Sequence, residues 1–292
     1  MDWIKEHSTW PLATHSRFTL CKPHRWHVQD IGDGPALLLI HGAGGSSHCW
    51  QHLIPLLSNE NRVVAIDLPG QGFTKLGAQQ RCGLDTMAED ILALCDTEGV
   101  CPTAVIGHSA GAAIALRMAE IKPMPLVVGI NAALDTFQGI AGILFPVLAK
   151  TIAATPLAAT LFSATTSQGS AVARIIERTG SVLSPQDISY YRRLVASPTH
   201  VQATLLMMAQ WKLTPLVERL SRHKTNTLLI AAENDTAVPP EISRRAAKQM
   251  PNAVFKILPG LGHLAQEEGA PAIATLIQTE LRNLLLEKNA TN

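Results

Sequence analysis

Charged side chains are scarce in this chain. Only 16% of its 292 residues are Asp, Glu, Lys or Arg, against ~25% in an ordinary soluble domain. The formal net charge is +1, so there is no basic surplus to neutralise phosphates, and nucleic acid is not an expected partner. Intrinsic disorder is excluded from the other side, because 47% of the residues are hydrophobic and can form a core. No CxxC pair exists among Cys21, Cys49, Cys82, Cys95 and Cys101. That odd set reads as free thiols in a reducing compartment. No apolar h-region follows Met1 to His7, where charges are mixed, so no secretory signal is expected. The least charged stretch, Thr136 to Ala173, carries only Lys150 but is broken by Pro146 and Pro156. A membrane span needs ~20 mostly apolar residues, so no transmembrane segment is expected. The expectation is a soluble, cytoplasmic chain.

Apolar runs punctuate the rest. Arg17 to Cys21 and Arg25 to Asp30 read as a hairpin turning at Lys22-Pro23-His24. Ala36 to Ile40 is continuously apolar, as in a strand buried on both faces of a parallel sheet. Arg62 to Ile66, Thr103 to Ile106, Leu126 to Ile130, Asn226 to Ala231 and Ala253 to Leu258 repeat that signature. Helical patterns lie between, over His48 to Leu57, Asp85 to Thr97, Ala110 to Ile121, Pro240 to Met250 and Pro271 to Leu286. In the last, Ile273, Leu276, Ile277, Leu281, Leu284 and Leu285 fall on one face. Strand alternating with helix predicts an α/β fold with a mostly parallel, doubly wound sheet. The alternation stops after Ile130 and resumes near Asn226. This places a core domain over 1–131 and 216–292, with an inserted helical cap over 132–215.

Gly107-His108-Ser109-Ala110-Gly111 follows a strand and opens a helix. That is the context of a nucleophile elbow, whose flanking positions must be small so that backbones do not collide. A serine nucleophile needs a base, and the base an orienting acid. In this fold the chain order is nucleophile, acid, base, and the places are filled by Asp235, in Glu233-Asn234-Asp235 after the strand Asn226 to Ala231, and His263, in Pro259-Gly260-Leu261-Gly262-His263 after the last strand. Asp135, after Leu126 to Ile130, is a rival acid. Asp235 is favoured because Ala237-Val238-Pro239-Pro240 behind it sets a turn and starts a helix. The oxyanion needs two backbone N–H donors. They are assigned to Ala110, after the nucleophile, and Ala43, in the turn His41-Gly42-Ala43-Gly44-Gly45. That turn completes neither G-x-G-x-x-G nor a Gly-Lys-Ser/Thr. His48 and His52 lack the intervening Glu of a metalloprotease helix, so no metal is assigned. Asp67-Leu68-Pro69-Gly70 reads as a structural turn, and Met207, Met208 and Trp211 as core or cap lining.

His41 to Trp50, Asp67 to Thr74, Gly107 to Gly111, Asp235 to Pro240 and Gly260 to His263 together resemble the α/β-hydrolase superfamily across the whole chain. The superfamily usually has histidine where this chain has Gln71, which leaves that turn's hydrogen bonding open. Arg25 to Gln29, Gly107 to Met118, Thr179-Gly180-Ser181, His200 to Trp211 and Leu261 to Glu268 are similar to the magnesium-chelatase accessory hydrolases of bacteriochlorophyll synthesis. The resemblance implies a cofactor-independent serine hydrolase in a tetrapyrrole pathway, with a possible magnesium chelatase contact. Ester cleavage, or C–C bond hydrolysis by a similar constellation, is expected. Dehalogenases and epoxide hydrolases usually place Asp at the position of Ser109. The alternative is a non-catalytic protein that binds a porphyrin or the chelatase. Phe137, Ile140, Leu144, Phe145 and Phe162 lie in the weakly charged cap stretch. They predict a large apolar cavity over Ser109, suited to a hydrophobic substrate such as a porphyrin ester.

Overall fold

The computed structural model describes residues 1–135 and 170–291. The cap residues Phe137 to Phe162 named above lie outside them. Eight strands form one sheet: β1 (Ser16–Cys21), β2 (His24–Ile31), β3 (Ala36–Ile40), β4 (Arg62–Ile66), β5 (Pro102–His108), β6 (Leu126–Ile130), β7 (Asn226–Ala232) and β8 (Ala253–Leu258). Their order is β1-β2-β4-β3-β5-β6-β7-β8. The hairpin β1–β2 and the pair β2–β4 are antiparallel, and every pairing from β4 to β8 is parallel.

All five residues of β3 are buried. Leu38 and Ile40 enter one apolar cluster and Leu37 and Leu39 the other. Such a strand needs cover on both sides, and helices supply it. The first cluster includes the inner faces of α1 (Leu84–Thr97) and α2 (Ala110–Ile121), through Met87, Ile91, Ile114 and Met118. Between β6 and β7 the described residues form α3 (Ala171–Glu177), α4 (Pro185–Val195) and α5 (Pro198–Gln210), a short helix Thr214–Glu218, and no strand. After β7 come α6 (Pro240–Gln249), α7 (Ala265–Glu268) and α8 (Ala270–Thr291). Ile273, Ile277, Leu281 and Leu284 of α8 close the second cluster, with Trp50 and Leu53.

Two local expectations need correction. His48 to Leu57 is not one helix but a 3₁₀ turn over Ser47–Trp50 and a single α-turn over Ile54–Leu57. Pro55 lacks an N–H, and its ring would meet the carbonyl of Gln51, so a continuous helix cannot pass through it. Leu285 is 55% exposed rather than part of the buried stripe. At ~100° per residue Leu285 lies only ~40° from Leu281 but ~100° from Leu284 and ~120° from Ile273, which puts it at the margin of the buried stripe.

Register brings the chemistry to one edge. Gly107 pairs with Ile40 and His108 with Ile130, so the loops after β3, β5, β6, β7 and β8 leave the sheet at its carboxyl end. In an open parallel sheet that end, where strand order reverses, is where ligands bind. Here the reversal lies at β3, flanked by β4 and β5.

Candidate active site

Ser109 stands between β5 and α2 with φ 52° and ψ −115°. A non-glycine residue held there stores about 1–3 kcal/mol of strain, which the surroundings must impose. They do so through close backbone approach. A Cβ on Gly107 would lie 2.3 Å from the Gly111 carbonyl oxygen, and one on Gly111 would lie 2.2 Å from Ile40 O. Ser109 N–H donates to Ile130 O at 2.9 Å, and its carbonyl accepts from Ala112 and Ala133. The side chain is left at the head of the helix, half-buried and facing a cavity.

His263 Nδ1 lies 2.7 Å from Asp235 Oδ2. The other carboxylate oxygen of Asp235 accepts from Ala237 and Val238 N–H, both at 2.8 Å, so this carboxylate is fixed by its own turn. Asp135 is elsewhere, paired with Arg245 at 2.5 Å. Ser109 and His263 line the same cavity of about 240 Å³, together with Ala43, Val172, Ile176 and Tyr191. Among the described residues no hydrogen bond yet joins Ser109 Oγ to His263, a common looseness of unliganded sites. The cavity is largely apolar over the described residues, and the cap stretch on which the expectation of a large one rests lies outside them. Pockets that engulf a drug-sized ligand run to ~300–1,000 Å³.

Ala43 N–H donates to nothing among the described residues, and Ala110 N–H belongs to the first turn of α2, where intrahelical partners are lacking. The loop carrying Ala43 is held by three side chains. His41 Nδ1 donates to Gly42 O at 2.7 Å while its Nε2 accepts from Leu68 N–H at 2.9 Å. Gln71 Oε1 accepts from Gly44 N–H at 2.8 Å, which settles the bonding of the turn that the missing histidine left open. His200, from α5, accepts from Gly72 N–H and donates to Gly44 O at 3.2 Å. One nitrogen of His200 accepting and the other donating defines a neutral ring, and burial lowers its pKa to about 3.

Two further side chains hold the backbone of His263 from inside. His263 O accepts from Asn131 Nδ2 and from His108 Nε2, both at 2.8 Å. Because a carbonyl only accepts, His108 carries its proton on Nε2. Burial, with the His263 ring beside it, pushes the His108 imidazole well below its usual range. Asn131 is itself left-handed, with φ 47°, a conformation asparagine tolerates better than most residues. Behind the cavity wall Tyr191 donates to Glu267 Oε1 at 2.5 Å, and burial pushes that carboxyl well above the usual carboxylate range.

The profile of the alpha/beta hydrolase fold matches residues 35–270. The chain belongs to the α/β-hydrolase fold family. It is 43% identical over 272 residues to the magnesium-chelatase 30 kDa subunit of Rhodobacter capsulatus, covering 92% of this chain and 95% of that protein. It is 26% identical to the 2-hydroxy-6-oxononadienedioate/2-hydroxy-6-oxononatrienedioate hydrolase of Comamonas testosteroni, over 89% and 92% of the two chains. The solved structure of a candidate lipase from Acinetobacter baumannii AYE superposes with a TM-score of 0.79 at 18% identity, over 97% and 96% of the chains.

Of the candidates Ser109, Asp235, His263, Ala43 and Ala110 read from the sequence of this α/β-hydrolase, Ser109, His263 and Ala43 line one cavity and Asp235 bonds His263; the sequence reading gave no role to His108, Asn131 or His200. His200 and His108 carried a weak signal, since both lie in blocks that resemble the accessory hydrolases; Asn131 carried none. His48 and His52 separate. His48 is buried against Ser46, and His52 reaches Asp187 at 3.1 Å. Met207 is core, with Gln71 Nε2 donating to its sulfur at 3.3 Å.

Proposed function

We propose that this α/β-hydrolase is a serine hydrolase with Ser109 as nucleophile, His263 as base and Asp235 as orienting acid. The observation that carries the reading is the 2.7 Å bond from His263 Nδ1 to Asp235, with a strained Ser109 in the same cavity. The bond directs the Nδ1 proton at Asp235, so Nε2 is the lone pair that can take the Ser109 proton as Oγ attacks a carbonyl carbon. Ala43 and Ala110 N–H hold the resulting oxyanion. The imidazolium returns the proton to the leaving group, an acyl-enzyme remains, and water activated by His263 hydrolyses it. No organic cofactor or metal enters these steps. The bond cleaved is a carboxylic ester, or a C–C bond next to a carbonyl.

The apolar lining supports a hydrophobic substrate in magnesium-porphyrin synthesis. A volume of about 240 Å³ over the described residues suits the ester arm of such a molecule, with the ring at the mouth near the half-exposed Ile175. Residues 1–131 and 216–292 form the core in this reading, 132–215 the cap, and the protein is cytoplasmic. A second reading, a non-catalytic subunit that binds tetrapyrrole or contacts magnesium chelatase, is favoured by the name of the 43% identical relative. Fluorophosphonate probes need an activated serine beside an oxyanion hole. Wild type is expected to label at Ser109 and Ser109→Ala not at all. A folded, accessible wild type that does not label sinks the hydrolase reading. Incubation with a magnesium-porphyrin methyl ester, read by mass spectrometry, then separates hydrolysis from binding.

A further inference from the structure

We propose that Thr179, Gly180 and Ser181, which follow α3, are positioning residues that hold the acid loop and the base loop in register; the inference rests on the hydrolase reading. Asp235 and His263 sit on separate turns, after β7 and β8, and this tripeptide is wedged between them. Thr179 O accepts from His263 N–H at 3.2 Å and from Thr236 N–H at 3.3 Å, so one carbonyl binds the neighbour of the acid and the base itself. Ser181 is 1% exposed, and its Oγ accepts from Leu264 N–H at 2.8 Å and from Thr179 Oγ1 at 3.2 Å. Thr236 Oγ1 closes the other side by donating to Arg178 O at 2.5 Å.

The fit leaves no space for a side chain at the centre. Gly180 has φ +81°, and a Cβ there would stand 1.8 Å from Asn234 O; one on Gly262 would stand 2.2 Å from the Gly180 carbonyl carbon. Only glycine adopts such a backbone freely at that separation. Thr179 and Ser181 therefore carry the bonds that fix His263 N–H, the next N–H after it, and the turn of Asp235, with Gly180 packed between them. Val172 and Ile176, in the helix just before, line the cavity. One stretch of chain thus sets both the substrate wall and the spacing of the catalytic pair.

The test uses full-length protein and two readouts. The first is the labelling rate of Ser109 with a fluorophosphonate, alongside kcat and KM for a p-nitrophenyl ester. The second is the downfield proton resonance of the His263–Asp235 hydrogen bond, which needs no activity. Ser181→Ala leaves the buried Leu264 N–H without an acceptor. The expected result is a kcat and labelling rate lower by about tenfold, unchanged KM, and a weakened downfield resonance, with Ser181→Thr restoring all three. Thr236→Val, at an exposed position, keeps the proposal testable if Ser181→Ala fails to fold, with a smaller loss in the same direction expected. A folded Ser181→Ala with wild-type rate and resonance overturns the proposal, as does a wild-type Thr236→Val if Ser181→Ala does not fold. A wild type that never labels, but whose resonance weakens in Ser181→Ala, overturns the hydrolase reading and leaves the bracket standing.

Discussion

Replacing Asp235 with asparagine removes one charge and almost no volume, and the structure dictates how the new amide must sit. Two backbone N–H groups, of Ala237 and Val238, point at Oδ1 from 2.8 Å. They can donate only to an oxygen, so the amide oxygen of the substituted side chain takes that place and its NH₂ turns toward His263. A donor then faces Nδ1 at about the 2.7 Å now spanned by the carboxylate bond. His263 can satisfy it only by surrendering the Nδ1 proton and carrying it on Nε2, which leaves nothing to accept the proton of Ser109. The same tautomer error lowers kcat by ~10⁴ in the best-studied triad, which is about 5.4 kcal/mol of transition-state stabilisation at 1.36 kcal/mol per decade.

The comparison is Asp135→Asn. Asp135 pairs with Arg245, whose side chain is 57% exposed; a surface pair is worth ~0–1 kcal/mol, and the pair does not touch His263. Turnover of a p-nitrophenyl ester by both variants, with circular dichroism to confirm folding, is the assay. Expected are a loss of ~10⁴-fold for Asp235→Asn and a change within about threefold for Asp135→Asn. If Asp235→Asn keeps activity within a factor of ten of wild type, or Asp135→Asn falls further, the acid has been misassigned.

Other consequences follow from the same geometry. Gly111→Ala would drive a Cβ to 2.2 Å from Ile40 O, a backbone atom that cannot step aside. A loss of at least about 3 kcal/mol in urea unfolding is expected, and wild-type stability would contradict the packing described. His48 and His200 are buried with pKa values lowered to about 3, burial being the main cause, whereas an unfolded histidine titrates near ~6.5. Between those values the unfolded chain binds more protons. The stability these rings contribute is therefore complete above pH ~6.5 and lost as pH falls toward about 3, by up to about 1.4 kcal/mol per pH unit for each. His200→Gln should flatten the decline of Tm between pH 6.5 and 4; a slope identical to wild type would refute the assignment.

What could be read in the sequence, and what could not, divides along a physical line. Ala36 to Ile40 declared itself a central strand because a strand covered on both faces has no polar position to alternate with. Ser109 stood out as a candidate because the elbow's sterics leave glycine alone at 107 and 111, and Asp235 was favoured over Asp135 because Pro239 and Pro240 advertise a turn, the one in which Ala237 and Val238 N–H bond its carboxylate. Each of these signals is local, written within a few residues of the feature it specifies. The brackets around the site are not. Asn131 and His263 are 132 positions apart, and His200 and Gly44 are 156 apart. A side chain that bonds one distant carbonyl imposes no period and demands no neighbour. Gln71 makes the same point at a position the sequence did flag. Its amide oxygen accepts the Gly44 N–H, while the remaining task, a donor for Gly44 O, falls to His200 on a helix of the segment between β6 and β7. The Ala43 loop is thus braced by that segment as well as by its own strand, and so are the turns carrying Asp235 and His263, through Thr179 and Ser181. Substitutions there should alter rate as well as substrate choice, a coupling that follows from these contacts and from no pattern within the segment.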